Sequence, residues 1–176
     1  MEFLSSATLA RLRDQLRERG QRPSVVLTNQ SAMTPDTVEL MQLTAEFGPL
    51  CEAMYLMMSA DGRVTNDERE VLKGALRNLS CDEIRSHHIE AMLDAASRRI
   101  AEQGRERRLQ AVIGELREDQ SRAEVALVLA AAVAFADDEI ADEENDLLNQ
   151  LAEGLGIDPD HANELLDLAE ADLRSG

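Results

Sequence analysis

The chain has 176 residues, 44% of them hydrophobic, yet it carries only three Phe, one Tyr and no Trp. That length suits one compact domain with an appendage, and its core has to be aliphatic. With 18 basic residues against 35 acidic ones the formal charge is -17, which repels phosphate backbones and anionic lipid surfaces and so excludes nucleic acid and membrane surfaces as first partners.

The two cysteines, Cys51 and Cys81, are too few for a disulfide scaffold and are read as reduced, buried thiols. Arg11, Arg13, Arg17 and Arg19 interrupt the amino terminus where a signal peptide would need its apolar stretch. The longest apolar run, Val125 to Ala136, is short of the ~20 residues of a spanning helix and reads as a buried core helix. A cytoplasmic protein without membrane insertion is expected.

The periodicity is helical nearly throughout. Leu4, Leu9, Leu12 and Leu16 form one stripe of a short amino-terminal helix that stops at Gly20, followed by an arm or linker to residue 33. Thr34 then caps a helix with Pro35 in its first position, carrying Val38, Met41 and Leu43 to Phe47, where Gly48-Pro49 breaks or kinks it. Leu50 to Ala60 is apolar on nearly every side and is expected at the centre. Further helices are predicted at about 67–79, 82–103, 106–118, 122–136, 143–155 and 159–173. No segment alternates with period two, so the fold class is all-α: a compact bundle of about seven helices at 34–176, plus the amino-terminal helix and arm at 1–33.

The most specific feature is an internal repeat at an offset of 76 residues: Ala60 to Leu72 aligns without gaps onto Ala136 to Leu148. Each copy runs from an apolar helix through an acidic turn and one β-branched residue into a new helix with an acidic first turn, which predicts a pseudo-twofold duplication. Gly62 supplies a left-handed residue to close the first helix, and Asp138 takes its place in the second copy. Val64 and Ile140 return to the core. Thr65-Asn66-Asp67-Glu68 reads as a capping box worth ~1 kcal/mol, and Ser80-Cys81-Asp82-Glu83 as another.

Capping accounts for part of the acidity only. Asp61 and Asp137 stand at the carboxyl ends of their helices, where the helix dipole disfavours a negative charge. If the two corners face each other about a pseudo-twofold axis, Asp61, Glu68, Asp137 and Glu144 converge, with Asp138, Asp142 and Glu143 near. Carboxylates gathered in this way need a cation or arginines among them. A divalent metal ion with oxygen ligands is the functional expectation, weighed against caps paired with Arg. The last forty residues hold fourteen acidic side chains and one basic one, Arg174, whereas arginines cluster at 11–22 and 98–122. That asymmetry suits a charged protein partner or an internal salt-bridge layer.

The paired corners Ala-Asp-Gly-x-Val-x-x-x-Glu and Ala-Asp-x-x-Ile-x-x-x-Glu, each followed by an apolar helix ending in Leu-x-(Cys/Ile)-Asp, resemble the tellurite-resistance TerB family, also seen at the amino terminus of DjlA-type co-chaperones. The resemblance runs from about Pro35 to Leu173. It implies a pseudo-symmetric bundle of about seven helices, a cytoplasmic stress-response module, and an acidic surface for a metal or a partner. By position it would assign Asp61, Glu68, Asp137 and Glu144 to that surface. Asp138 stands where the family carries glycine and Ala141 where it carries a capping residue, which sets the second corner apart.

Other chemistries find little support. An EF-hand loop would need a ligand at Arg63 and glycine at Asn66, and its second copy would end on Leu148. His87 and His88 are adjacent on a helix and point about 100° apart, so they cannot share an ion from there. His161 reads as an exposed first-turn residue, and Met54, Met57 and Met58 as gap fillers of a core helix. The amino-terminal helix suits docking on the domain or on a second subunit, a homodimer, more than a membrane. No nucleophile with its base and no phosphate loop occurs. The reading is a non-enzymatic module, with a structural protein-interaction scaffold or a metal-dependent hydrolase as alternatives.

Overall fold

The structure, a computed structural model, describes residues 4–18, 35–60, 62, 64–80, 82–135 and 142–175. These residues form eight helices and no strand: α1 (Ser6–Glu18), α2 (Pro35–Met58), α3 (Asn66–Leu79), α4 (Ser86–Gln103), α5 (Arg105–Leu116), α6 (Gln120–Ala134), α7 (Asp142–Leu155) and α8 (Pro159–Ser175). The expected all-α class holds over the described residues, as does the count of seven helices after the amino-terminal one.

Two helices make the centre. The stretch Leu50–Met58 of α2 is buried on every side, and so is Val125–Ala132 of α6. Met54, Met57 and Met58 belong to that core, where unbranched thioethers fill the irregular space that a chain poor in aromatics leaves between helices. The other helices turn one stripe inward, such as Leu147, Leu148, Leu151 and Leu155 on α7. A fully buried leucine of this kind contributes about 2 kcal/mol.

The expected interruption at Gly48-Pro49 does not occur: α2 runs unbroken from Pro35 to Met58 with Pro49 inside it. Pro49 has no amide hydrogen for the carbonyl of Ala45, four residues back. The Arg122 guanidinium of α6 reaches that oxygen at 3.4 Å and the Glu46 carbonyl at 2.8 Å. Gly48 has no Cβ to crowd the proline ring. The helix survives its proline because a side chain from another helix meets the exposed carbonyls.

The second capping box also has to be corrected. Ser80 closes α3 instead of opening α4: its hydroxyl donates to the Arg77 carbonyl and accepts from the Ile84 amide. α4 begins later, at Ser86, without a side-chain cap. The reason is burial, since Ile84 is 1% exposed and the chain turns through Asp82, at φ 60°, to drive it inward. Across this turn Arg69 of α3 binds Glu90 and Asp94 of α4, each at 2.6 Å.

α1 docks on its own domain. Leu4, Leu9 and Leu12 are buried. The Asp172 carboxylate of α8 accepts the Ser5 amide at 2.7 Å and the Ser5 hydroxyl at 2.8 Å, on separate oxygens. Burial opposes the charge on Asp172, yet the bonds from Ser5 and Thr8 hold its pKa below the usual value. Farther along, Gln15 donates to Glu124 of α6 at 2.5 Å.

Glu124 also receives His161, which stands in the first turn of α8 with its side chain 41% exposed, as expected: Nε2 lies 3.3 Å from Glu124 and Nδ1 3.4 Å from Glu164. The Glu164 bond leads in raising the His161 pKa above 6.5; burial opposes it and Glu124 adds to it. The stability this seam contributes is therefore complete below pH 6.5 and is lost as the pH rises through the higher folded value. His88, lowered mainly by burial, drifts the opposite way. Thermal melts on either side of that pH should show wild type losing more stability on alkalinisation than His161→Gln, because the His88 effect is common to both.

Two helical glycines give opposite expectations. A Cβ on Gly154 of α7 would lie 2.6 Å from Cδ1 and 2.9 Å from Cγ2 of Ile113, whereas one on Gly114 of α5 meets nothing within 4 Å. In urea titrations Gly114→Ala should gain about 0.5–1 kcal/mol from helix propensity. Gly154→Ala should instead lose about 1–3 kcal/mol, because a β-branched neighbour cannot rotate away from the overlap.

Candidate functional site

The first corner forms between α2 and α3 as its local chemistry requires. Gly62 sits at φ 84°, and Val64 is half-buried against the core. The capping box is complete: the Glu68 amide donates to the Thr65 hydroxyl at 3.2 Å, and the Thr65 amide to Glu68 Oε2 at 2.5 Å. One carboxylate oxygen of Glu68 is thereby committed to the backbone, leaving Oε1 for any other ligand. A cation already stands at the end of α2. Arg105, the first residue of α5, donates to the carbonyls of Ser59 and, at 2.9 Å, of Ala60, where a helix carboxyl end favours positive charge.

The second corner opens α7 with Asp142, Glu143 and Glu144 in its first turn. Asp142 and Glu143 are exposed and Glu144 is half-buried. Asp61, Asp137 and Asp138, and with them Cys81 and Ile140, lie outside the described residues. Among the described residues no three His, Cys, Asp or Glu side chains come together as an ion site.

A different constellation lies beneath α4 and α5. Glu52 sits in the buried half of α2 with its side chain 3% exposed. Arg99 of α4 donates to Glu52 Oε2 through Nε at 3.0 Å and Nη2 at 2.6 Å. Arg108 of α5 donates through Nε to Oε1 at 2.6 Å and through Nη2 to Oε2 at 3.1 Å. One carboxylate thus ties three helices. Beside Glu52, burial first and then its negative charge push the Cys51 thiol up to about 12, which leaves it protonated and chemically inert.

This cluster closes one end of a cavity of about 640 Å³ between α2, α4 and α5. Small residues make the space: Ala45, Gly48 and Pro49 on α2 face Ala91 and Ala95 on α4. His88 and Thr44 also line it, with Glu115 of α5. The Nδ1 atom of His88 is buried and has no hydrogen-bond partner among the described residues.

Residues 50–167 match the family described as tellurite resistance protein TerB. The chain belongs to the tellurite-resistance TerB family. No curated protein and no solved structure matches the sequence. The TerB match starts inside α2 and ends inside α8, a shorter span than Pro35 to Leu173. It includes both corners, Glu52 and both of its arginines, while α1 and the first half of α2 lie outside it.

The sequence singled out the corners of this TerB protein and missed the Glu52 cluster. A glutamate inside an otherwise apolar helix, Leu50 to Ala60, was the available signal, because a buried carboxylate needs cations. Two arginines of the cluster at 98–122, Arg99 and Arg108, answer it as internal salt bridges. Arg99 and Arg108 serve Glu52, Arg105 the end of α2, and Arg122 the carbonyls before Pro49.

Removing the carboxylate strands two guanidinium groups, one of them only 13% exposed. Glu52→Ala should therefore cost about 3 kcal/mol in chemical denaturation, the range for breaking one side of a buried pair. Arg99→Gln should cost about 1 kcal/mol, as Arg99 is 37% exposed and Arg108 still neutralises Glu52.

Proposed function

We propose that this TerB protein is a non-enzymatic module of a tellurite-resistance-type stress response, and that its two corners, related by a pseudo-twofold duplication, form an acidic site for a divalent cation. The observation that carries the reading is the first turn of α7, where Asp142, Glu143 and Glu144 follow one another at a helix start, two of them exposed. A helix amino terminus accounts for one or two such charges through its dipole. The third, joined by Asp137 and Asp138 just upstream in sequence, is in excess of what a cap requires.

The donor chemistry fits a hard cation. Carboxylate oxygens suit Mg²⁺, Ca²⁺ or Mn²⁺. Asp61, Asp137, Asp138, Asp142 and Glu144 would hold the ion, with Glu68 contributing the oxygen not spent on Thr65. The ion would supply a charge that neutralises the corners and lets a partner approach; the side chains would orient it.

A second reading rests on the acidic last forty residues, fourteen acidic side chains against one basic: the same surface would take a basic protein face directly. Calorimetric titration of chelator-stripped protein with Ca²⁺, Mg²⁺, Mn²⁺ and Zn²⁺ separates the two. The cation reading expects saturable heat near one equivalent, weakened at least tenfold in Asp61→Asn and in Asp137→Asn. Heat no larger than dilution for every ion overturns it and leaves the basic partner.

A further inference from the structure

The Glu52 cluster holds its arginines in a particular way. Both guanidinium groups give Glu52 the same edge, Nε and Nη2. Nη1 of Arg108 reaches only Gln103, at 3.4 Å, and Nη1 of Arg99 has no protein partner among the described residues. Each group is thus fixed by a buried carboxylate on one edge and keeps donors on the other. A guanidinium fork fixed in this manner has already lost the freedom that an anion would otherwise have to take from it.

Charge and shape narrow the ligand. Two arginines against Glu52 leave a single positive charge beside that carboxylate, and Glu115, which also lines the cavity, offsets it from the side of Arg108, so a singly charged carboxylate suits the place better than a doubly charged phosphate. From Arg99 the cavity follows α4 back to His88, eleven residues or roughly 16 Å along the helix axis. The walls between are apolar: Met92, Ala91 and Ala95 on α4, Ala45 and Pro49 on α2. Its volume, about 640 Å³, is that of a small-molecule site.

We infer that the cavity between α2, α4 and α5 binds a small amphiphilic monocarboxylate, its carboxylate on the outer edges of Arg99 and Arg108 and its hydrocarbon body along α4 toward His88. This site is separate from the acidic corners, and neither depends on the other for its test.

Decanoate is the probe, followed by amide chemical shifts of the full chain, with decanol and acetate as controls and a short apolar peptide with a free carboxyl terminus in parallel. Saturable shifts confined to residues of α2, α4 and α5 are expected, with decanol and acetate each at least tenfold weaker. Arg99→Gln should weaken decanoate at least tenfold. Ala95→Leu, which fills the slot without touching a charge, should abolish binding while the thermal midpoint stays near that of wild type. The inference is overturned by shifts that fail to saturate, by decanol matching decanoate, by Ala95→Leu binding as wild type does, or by the peptide binding more tightly than decanoate.

Discussion

A carboxylate inside the most apolar part of a helix constrains everything packed around it. Glu52 cannot be left unpaired at 3% exposure, because the charge would cost several kcal/mol more than the fold can spare. Two guanidinium groups must reach it, and they come from two different helices. The carboxyl end of α4 and the first half of α5 are thereby fixed against α2, with Gly104 turning the chain between them at φ 85°. Arg105, next to that turn, is carried onto the carbonyls of Ser59 and Ala60 just after α2, so the same placement that neutralises Glu52 also completes the first corner.

The arginines explain how a protein with a charge of -17 holds together. Arg69, Arg99, Arg105, Arg108 and Arg122 each bridge two helices, and two of them satisfy backbone carbonyls instead of carboxylates. Arginine suits the task because its planar fork offers several donors in fixed directions. The acidic surplus is left toward the carboxyl-terminal third, at the start of α7 and along α8, where carboxylates are exposed and available to an ion or a basic surface.

Small residues have an equal part in the site. Where α2 and α4 face each other, Ala45 and Gly48 oppose Ala91 and Ala95, and the helices stay apart because the Glu52 cluster and Met92 hold them there. A core of aliphatic chains closes readily around such a gap; a gap with fixed charges at its rim does not, since closing it would bury the outer edges of the guanidinium groups without partners.

Much was legible in the sequence because it was local. The helix periods, the left-handed Gly62 and the capping box of Thr65 and Glu68 depend on residues within a few positions of one another, and the structure places each as expected. The aliphatic core followed from composition, and TerB membership from two corners of fixed spacing. What failed was set by distant residues. Gly48-Pro49 reads as a break until Arg122, more than seventy positions away, supplies the donors that proline removes. Ser80 reads as a cap until the burial of Ile84 delays the next helix. Glu52 meets Arg99 and Arg108 across 47 and 56 positions, a pairing that no local pattern encodes. The sequence by itself determined where this chain is helical and which faces turn inward, since backbone preference and hydrophobic period act over one or two turns. Only the tertiary structure decided which arginine neutralises which buried group, because that choice depends on which helices become neighbours.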